Sequence, residues 1–234
     1  MTNALLQIKI KQRLNKLASL DYDNIECWQI QEAFNKAQLE WVRRQVYGMN
    51  LRKEGAEQST GLIDDLRVLL KTAHTQNPED KKLYAVASLP ADYLYYTRID
   101  VLANSDCCPD KRRMTVYEVE EANIAQILNS DQKNPNFEWA ETVSTLVGDK
   151  LRVYTEGKFS ITDIYLIYYS RPVDIKFQGC IDPSTGSVIK QDVTCIFKDD
   201  IVEILADETA AILAGDIESM NQYPRETQNS QRNS

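Results

Sequence analysis

Histidine is nearly absent from this chain: its 234 residues include one, His74. A single imidazole cannot build a His-ligated metal centre, a zinc-protease motif or a Ser-His-Asp triad within one copy. Glycine is also sparse, with eight residues that never fall closer than six apart. That spacing excludes the Walker loop, the dinucleotide fingerprint and the Gly-x-Ser-x-Gly elbow, all of which need clustered glycines. No apolar run approaches the ~20 residues that cross a bilayer. The stretch Met1–Ile10 mixes charge into its apolar residues and has no small-residue cleavage site, so no signal peptide is expected. The five cysteines, Cys27, Cys107, Cys108, Cys180 and Cys195, are odd in number and lack Cys-x-x-Cys spacing. They predict reduced thiols in a cytoplasm, without a disulfide framework or a zinc site.

Positive charge is the next shortage. There are 27 basic and 35 acidic residues, a net charge of −8, and residues 173–234 alone hold 5 basic against 11 acidic. Nucleic-acid binding by phosphate neutralisation needs a basic face, which this composition does not supply. DNA near the acidic last quarter is expected to pass without being held.

What is present reads as α+β. Residues 1–20 follow an amphipathic helical pattern, with Leu6, Ile10, Leu14 and Leu17 on one side. A second helix runs from Asp21 or Asp23 to Gly48, carrying Ile25, Trp28, Ala33, Phe34, Ala37, Trp41, Val42 and Val46. A third is expected from Ser59 or Thr60 to about Ala73, with His74 at its C-terminal end. From residue 83 short alternating runs take over. Candidate strands are Leu83–Leu89, Tyr93–Ala103, Arg113–Val119, Lys150–Thr155, Phe159–Tyr169 and Val188–Cys195. Glu156-Gly157 is read as the turn of a hairpin, Asp182–Gly186 as another turn, and Glu121–Leu128 as a short helix. Asp199 opens a last helix that ends near Met220, and Asn221–Ser234 is polar and aperiodic. The expected organisation is a helical bundle portion over 1–80, a β-rich portion over 81–198, a C-terminal helix over 199–220 packing on the helical portion, and an extended tail over 221–234.

Chemistry is hard to assemble from these residues. The best enzymatic candidate is a metal-dependent nuclease site made of Asp149, Glu156 and Lys158, but Glu156 and Lys158 straddle a turn instead of lying side by side on a strand. The basic clusters are Lys111-Arg112-Arg113, expected in a solvated loop after Cys107-Cys108, and Arg43-Arg44 on the second helix. No cofactor and no metal are expected. A soluble chain with a long amphipathic helix, a polar tail and no catalytic set points to assembly instead.

The stretch Arg13–Ile25, continuing through Ala33–Gln45, resembles the neck proteins of tailed bacteriophages, especially the crAss-like phages. Trp139, Gly148-Asp149-Lys150, Ile167–Pro172 and the closing helix Ile201–Ile217 with Ala214-Gly215-Asp216 are similar to phage connector proteins. The resemblance implies a virion structural protein: a head-to-tail adaptor of twelve copies, docked on the portal protein in the neck between capsid and tail and assembled in the host cytoplasm. It implies further neck and tail ring proteins as partners, and a channel through which genomic DNA passes without specific binding. On this reading the tail, through Met220, Tyr223, Pro224 and Arg225, inserts into a portal cleft, and Trp41, Arg43 and Arg44 serve the ring interface. The alternatives are another neck or tail ring, such as a stopper or tail-completion protein, a minor capsid protein, and the nuclease.

Overall fold

The computed structural model describes residues 1–17, 25–47, 65–105, 108–130, 132–182 and 185–217. The chain divides into a discontinuous unit, Met1–Val68 with Pro172–Ser234, and a continuous unit, Leu69–Arg171, inserted in its sequence.

Among the described residues the discontinuous unit contains three long helices: α1 (Asn3–Leu17), α2 (Cys27–Tyr47) and, towards the far end of the chain, α4 (Asp199–Ile217). In α1 the residues Leu6, Ile10 and Leu14 recur every four positions and are buried, which makes a narrow stripe. In α2 the buried set is Ile30, Ala33, Phe34, Ala37, Trp41 and Val42. Both faces pack chiefly on α4, and the two helices touch each other little. The expected N-terminal helical bundle over 1–80 is therefore not what forms. Two helical faces from one end of the chain share a partner from the other.

α4 suits that role because its buried positions Ile201, Val202, Leu205, Ala206, Ala210 and Leu213 cover a broad stripe. Small residues within it let neighbouring helices approach closely. Each buried Leu or Ile contributes roughly 1.5–3 kcal/mol by leaving water. At the rim Lys9 and Arg13 of α1 reach Glu203 and Asp207, and Arg44 of α2 reaches Glu208. Asp199 and Asp200 lie in the first turn of α4, where the helix dipole favours negative charge.

The segment 172–198 belongs to this unit. The expected strand Val188–Cys195 is reduced to isolated bridges, Ile181 with Val188 and Lys176 with Val193. Amide side chains supply much of the remaining pairing. Asn35 accepts from the Ile175 N–H at 2.8 Å, Gln31 accepts from the Phe177 N–H at 3.2 Å, and Asn3 donates to the Lys176 carbonyl at 2.9 Å. Gln31 is buried on α2 for this reason, and the buried Gln38 donates to the Asn35 side chain and holds it in place. Gly186, in the left-handed region at φ +67°, closes the expected Asp182 turn by donating its N–H to the Asp182 carbonyl. The expectation of reduced thiols is overturned at one pair: Cys27 and Cys180, 153 residues apart, are disulfide-bonded with their Cα atoms 6.0 Å apart. No spacing rule sees a pair that only tertiary folding brings together.

The inserted unit is one eight-stranded sheet. Its strands are β1 (Leu70–Gln76), β2 (Glu79–Asp80), β3 (Tyr84–Ser88), β4 (Tyr93–Ser105), β5 (Cys108–Glu118), β6 (Glu141–Val147), β7 (Lys150–Tyr154) and β8 (Ser160–Ser170). Their order is β1-β8-β4-β5-β6-β7-β3-β2, antiparallel except between β5 and β6. A short 3₁₀ turn, Glu121–Asn123, and the helix α3 (Ile124–Leu128) lie in the β5–β6 crossover.

The strand order forces the sheet to curl. β1 and β2 are its opposite edges, yet only Asn77 and Pro78 separate them. Three residue steps span at most about 11 Å, so the two edges must meet at that end. Inside the curl, alternate residues of five strands form one apolar cluster that includes Ile99 and Val101 of β4, Met114 of β5, Val153 of β7, and Ile164 and Leu166 of β8.

Several expectations change here. The third helix extends only through Leu66 among the described residues, and after a 3₁₀ turn the chain becomes β1, because pairing with β8 overrides the leucine spacing. His74 is therefore a strand residue. Cys108 begins β5, so Lys111–Arg113 lie on a strand and not in a loop. Glu156 and Gly157 do form a turn, both at positive φ, but the strands it joins are not neighbours: β7 pairs with β6 and β3, and β8 with β1 and β4. The hairpin in this region is β6–β7, turned by Gly148-Asp149 with Gly148 at φ +61°.

Two substitutions test the packing. Leu205→Ala is expected to cost the helical unit about 3 kcal/mol in urea denaturation followed by circular dichroism; a loss under 1 kcal/mol contradicts the packing role given to α4. Ser144, fully buried in β6, has a hydroxyl without a hydrogen-bond partner. Ser144→Ala is expected to stabilise the sheet unit by about 1 kcal/mol, because a desolvated and unpaired hydroxyl is removed.

Candidate functional site

The residues expected to carry assembly are distributed unevenly. Trp41 is only 5 % exposed and packs edge-on against Phe197, ring centres 5.1 Å apart. It is a core residue of its own unit, which withdraws it from the ring interface. Arg44 is committed to Glu208 within the chain, while Arg43 stands exposed on α2. Met220, Tyr223, Pro224 and Arg225 lie outside the described residues.

The nuclease candidate does not converge. Asp149 precedes β7 and Glu156 follows it, so an extended strand holds them roughly 20 Å apart. Lys158 bonds Glu156 at 2.7 Å inside the turn. Among the described residues no group of three or more His, Cys, Asp and Glu side chains is placed to hold a metal ion, and no helix is long and apolar enough to cross a membrane.

The convex face of the sheet carries two networks that composition did not reveal. β1, β8, β4 and β5 lie side by side, and their outward residues meet across strands. Asp163 of β8, almost fully buried, accepts from Lys111 of β5 at 2.9 Å and bonds His74 of β1 at 3.0 Å. His74 also stacks on Tyr165, ring centres 4.4 Å apart and nearly parallel. Asp100 of β4 accepts from Arg98 at 2.9 Å and Arg113 at 2.6 Å on the same oxygen. The basic cluster is thus consumed in part by carboxylates at the base of the face: Lys111 and Arg113 are paired, while Arg112 donates to the Phe137 carbonyl. Hydrogen bonds from Lys111 and then His74 hold the Asp163 carboxyl well below its ordinary 3.8, at about 2.

Beside this face stands an exposed aromatic. Trp139 is 65 % exposed, and the loop that presents it is fixed at both ends by paired backbone bonds between Asn136 and Glu141. The Asn136 side chain caps the loop by accepting from the N–H groups of Glu138 and Trp139. Ala140 sits at φ +57° and gives its carbonyl to the Thr115 N–H at 2.8 Å. The adjoining Tyr117, 52 % exposed, donates to Glu141 at 3.2 Å. Tyr117 and Glu141, with Val119, Ile127, Lys133 and Val143, line a groove of about 360 Å³. A large aromatic on a loop closed by backbone bonds adds contact area at little cost in ordering when another molecule covers it. The sequence reading singled out Trp139 only by resemblance. It gave no sign that the ring faces solvent, because exposure of an aromatic is a property of the loop.

No protein-family model matches the chain, and no curated protein matches it.

The Asp163 network sets a pH dependence. A carboxyl whose folded value lies below its unfolded one stabilises the fold fully above the unfolded value, and that stability is lost as pH falls through the folded value. The sheet unit is therefore expected to lose up to ~2 kcal/mol between pH 5 and pH 2 from this group. Asp163→Asn should lower the melting temperature at pH 7 and flatten its fall with acid. Equal slopes for the two proteins would contradict the assignment.

Proposed function

We propose that this chain is a virion structural protein: a ring-forming adaptor, twelve copies strong, that joins the portal to the tail of a tailed bacteriophage. The observation that carries the reading is Trp139, an exposed aromatic on a loop closed by backbone bonds, beside a sheet face where Lys111 and Arg113 are paired with carboxylates. A ring uses a heterologous contact, in which one patch of a copy meets a different patch of the next, and such contacts are commonly anchored by tryptophan, tyrosine and arginine. Arg43 remains as the exposed candidate on the helical unit. The resemblance in motif order to phage neck proteins supplies the setting: the virion neck, with assembly in the host cytoplasm and with further neck and tail rings as partners.

The placement of α4 also supports the reading. α4 is anchored by its buried stripe and its ion pairs, and the polar segment that follows it is the proposed portal-binding element. Genomic DNA passes through the ring without specific binding. The acidic last quarter contributes less to this than its composition suggests, because Glu203, Asp207 and Glu208 are bound by cations of α1 and α2.

Deletion of residues 221–234 is expected to leave the melting temperature unchanged and to abolish co-purification with the portal. Unimpaired portal binding would sink the tail assignment. Trp139→Ala, at so exposed a position, should keep the fold and weaken ring formation on the portal at least tenfold by mass photometry. Rings formed as readily as with the wild type would remove the observation on which the proposal rests.

A further inference from the structure

The disulfide has a place in the fold that gives it a role. Cys27 is the first residue of α2 and is half-buried, whereas Cys180, in the segment that follows the inserted sheet unit, is 5 % exposed. The bond joins the two halves of the discontinuous unit and closes a covalent loop that contains the whole of Leu69–Arg171. Non-covalent contacts already hold the same two pieces together. Asn35 bonds both the N–H and the carbonyl of Ile175, Gln31 accepts from Phe177, and the thiol of Cys195 donates to Gln38 at 3.4 Å. The buried side chains of Ile175 and Phe177 belong to the same stretch. These contacts hold the segment around Ile175–Cys195 along α2 beside the covalent bond.

We infer that Cys27 and Cys180 form an oxidative clasp that closes after the helical unit has folded. In a reducing compartment the pair is a dithiol in an already folded unit. A low-molecular-weight disulfide such as oxidised glutathione closes it by two exchanges. The more accessible Cys27 thiolate attacks the oxidant, breaking its S–S bond and releasing one small thiol. The Cys180 thiolate then displaces the second small thiol and forms the intramolecular bond. Two protein thiols are oxidised and one disulfide is reduced to two thiols, so atoms and electrons balance. On the adaptor reading, a particle built in a reducing cytoplasm gains this bond only after release. The chemistry itself can be tested without that reading.

The full chain is purified in reductant, then exposed to oxidised glutathione, and followed by peptide mapping, circular dichroism and thermal melting. The clasp predicts unchanged helical content in the reduced protein and a Cys27–Cys180 cross-linked peptide after oxidation. It predicts a melting temperature of the helical unit about 10 °C higher when oxidised, because closing so long a loop restricts the unfolded chain. Cys27→Ser should melt with the reduced wild type under both conditions. If that variant does not fold, the reduced wild type makes the same comparison. Loss of helical content in reductant, absence of the cross-linked peptide, or equal melting of oxidised and reduced protein each overturns the inference. Failure here leaves the adaptor proposal untouched, because that proposal is read from portal binding and ring formation.

Discussion

α1 and α2 each carry an apolar face that is covered by a helix beginning at Asp199. The two helices touch each other little, so α1 and α2 depend on residues near the opposite end of the chain. The same packing decides where charge goes. α4 holds the acidic excess of the last quarter, and the lysine and arginines that answer it lie on α1 and α2. Lys9 and then Arg13 hold the Glu203 carboxyl below the ordinary range. An asymmetry that looks like a functional surface in the composition is in part the complementary half of an internal contact.

A unit completed so late in the chain tolerates an insertion only if the chain comes back to where it left. The sheet unit meets this condition within itself. β1, which begins it, and β8, which ends it, are antiparallel neighbours, with Leu70 opposite Tyr169 and the Ser170 hydroxyl bonded to the Leu69 carbonyl at 3.1 Å. Entry and exit are thus adjacent, as inserted domains require. The curl follows from the two-residue link between edge strands, and it gives the sheet an inside for its own core and an outside for the paired networks around Asp100 and Asp163.

Much of this was legible in residue patterns. Leu6, Ile10 and Leu14, or Ile164, Leu166 and Tyr168, announce their element by period alone, because one face of each is dry. Legibility failed where a partner distant in sequence decides the outcome. β1 is a strand because β8 lies beside it, and β6 passes unnoticed because it is buried on both faces and its buried positions include Thr142, Ser144 and Thr145. The Cys27–Cys180 pair and the paired state of Lys111 and Arg113 are likewise tertiary facts. The proposed site follows the same rule: a tryptophan in a sequence reads as core, and only the Asn136–Glu141 loop turns Trp139 outward.

The central physical claim is that α4 completes the fold of α1 and α2. Hydrogen–deuterium exchange on the full chain and on a chain ending at Lys198 tests it most directly, since protection reports local stability segment by segment. The account predicts that amides of α1 and α2 lose their protection in the shortened chain while those of β4 and β8 keep theirs. Undiminished protection of α1 and α2 without α4 would contradict it.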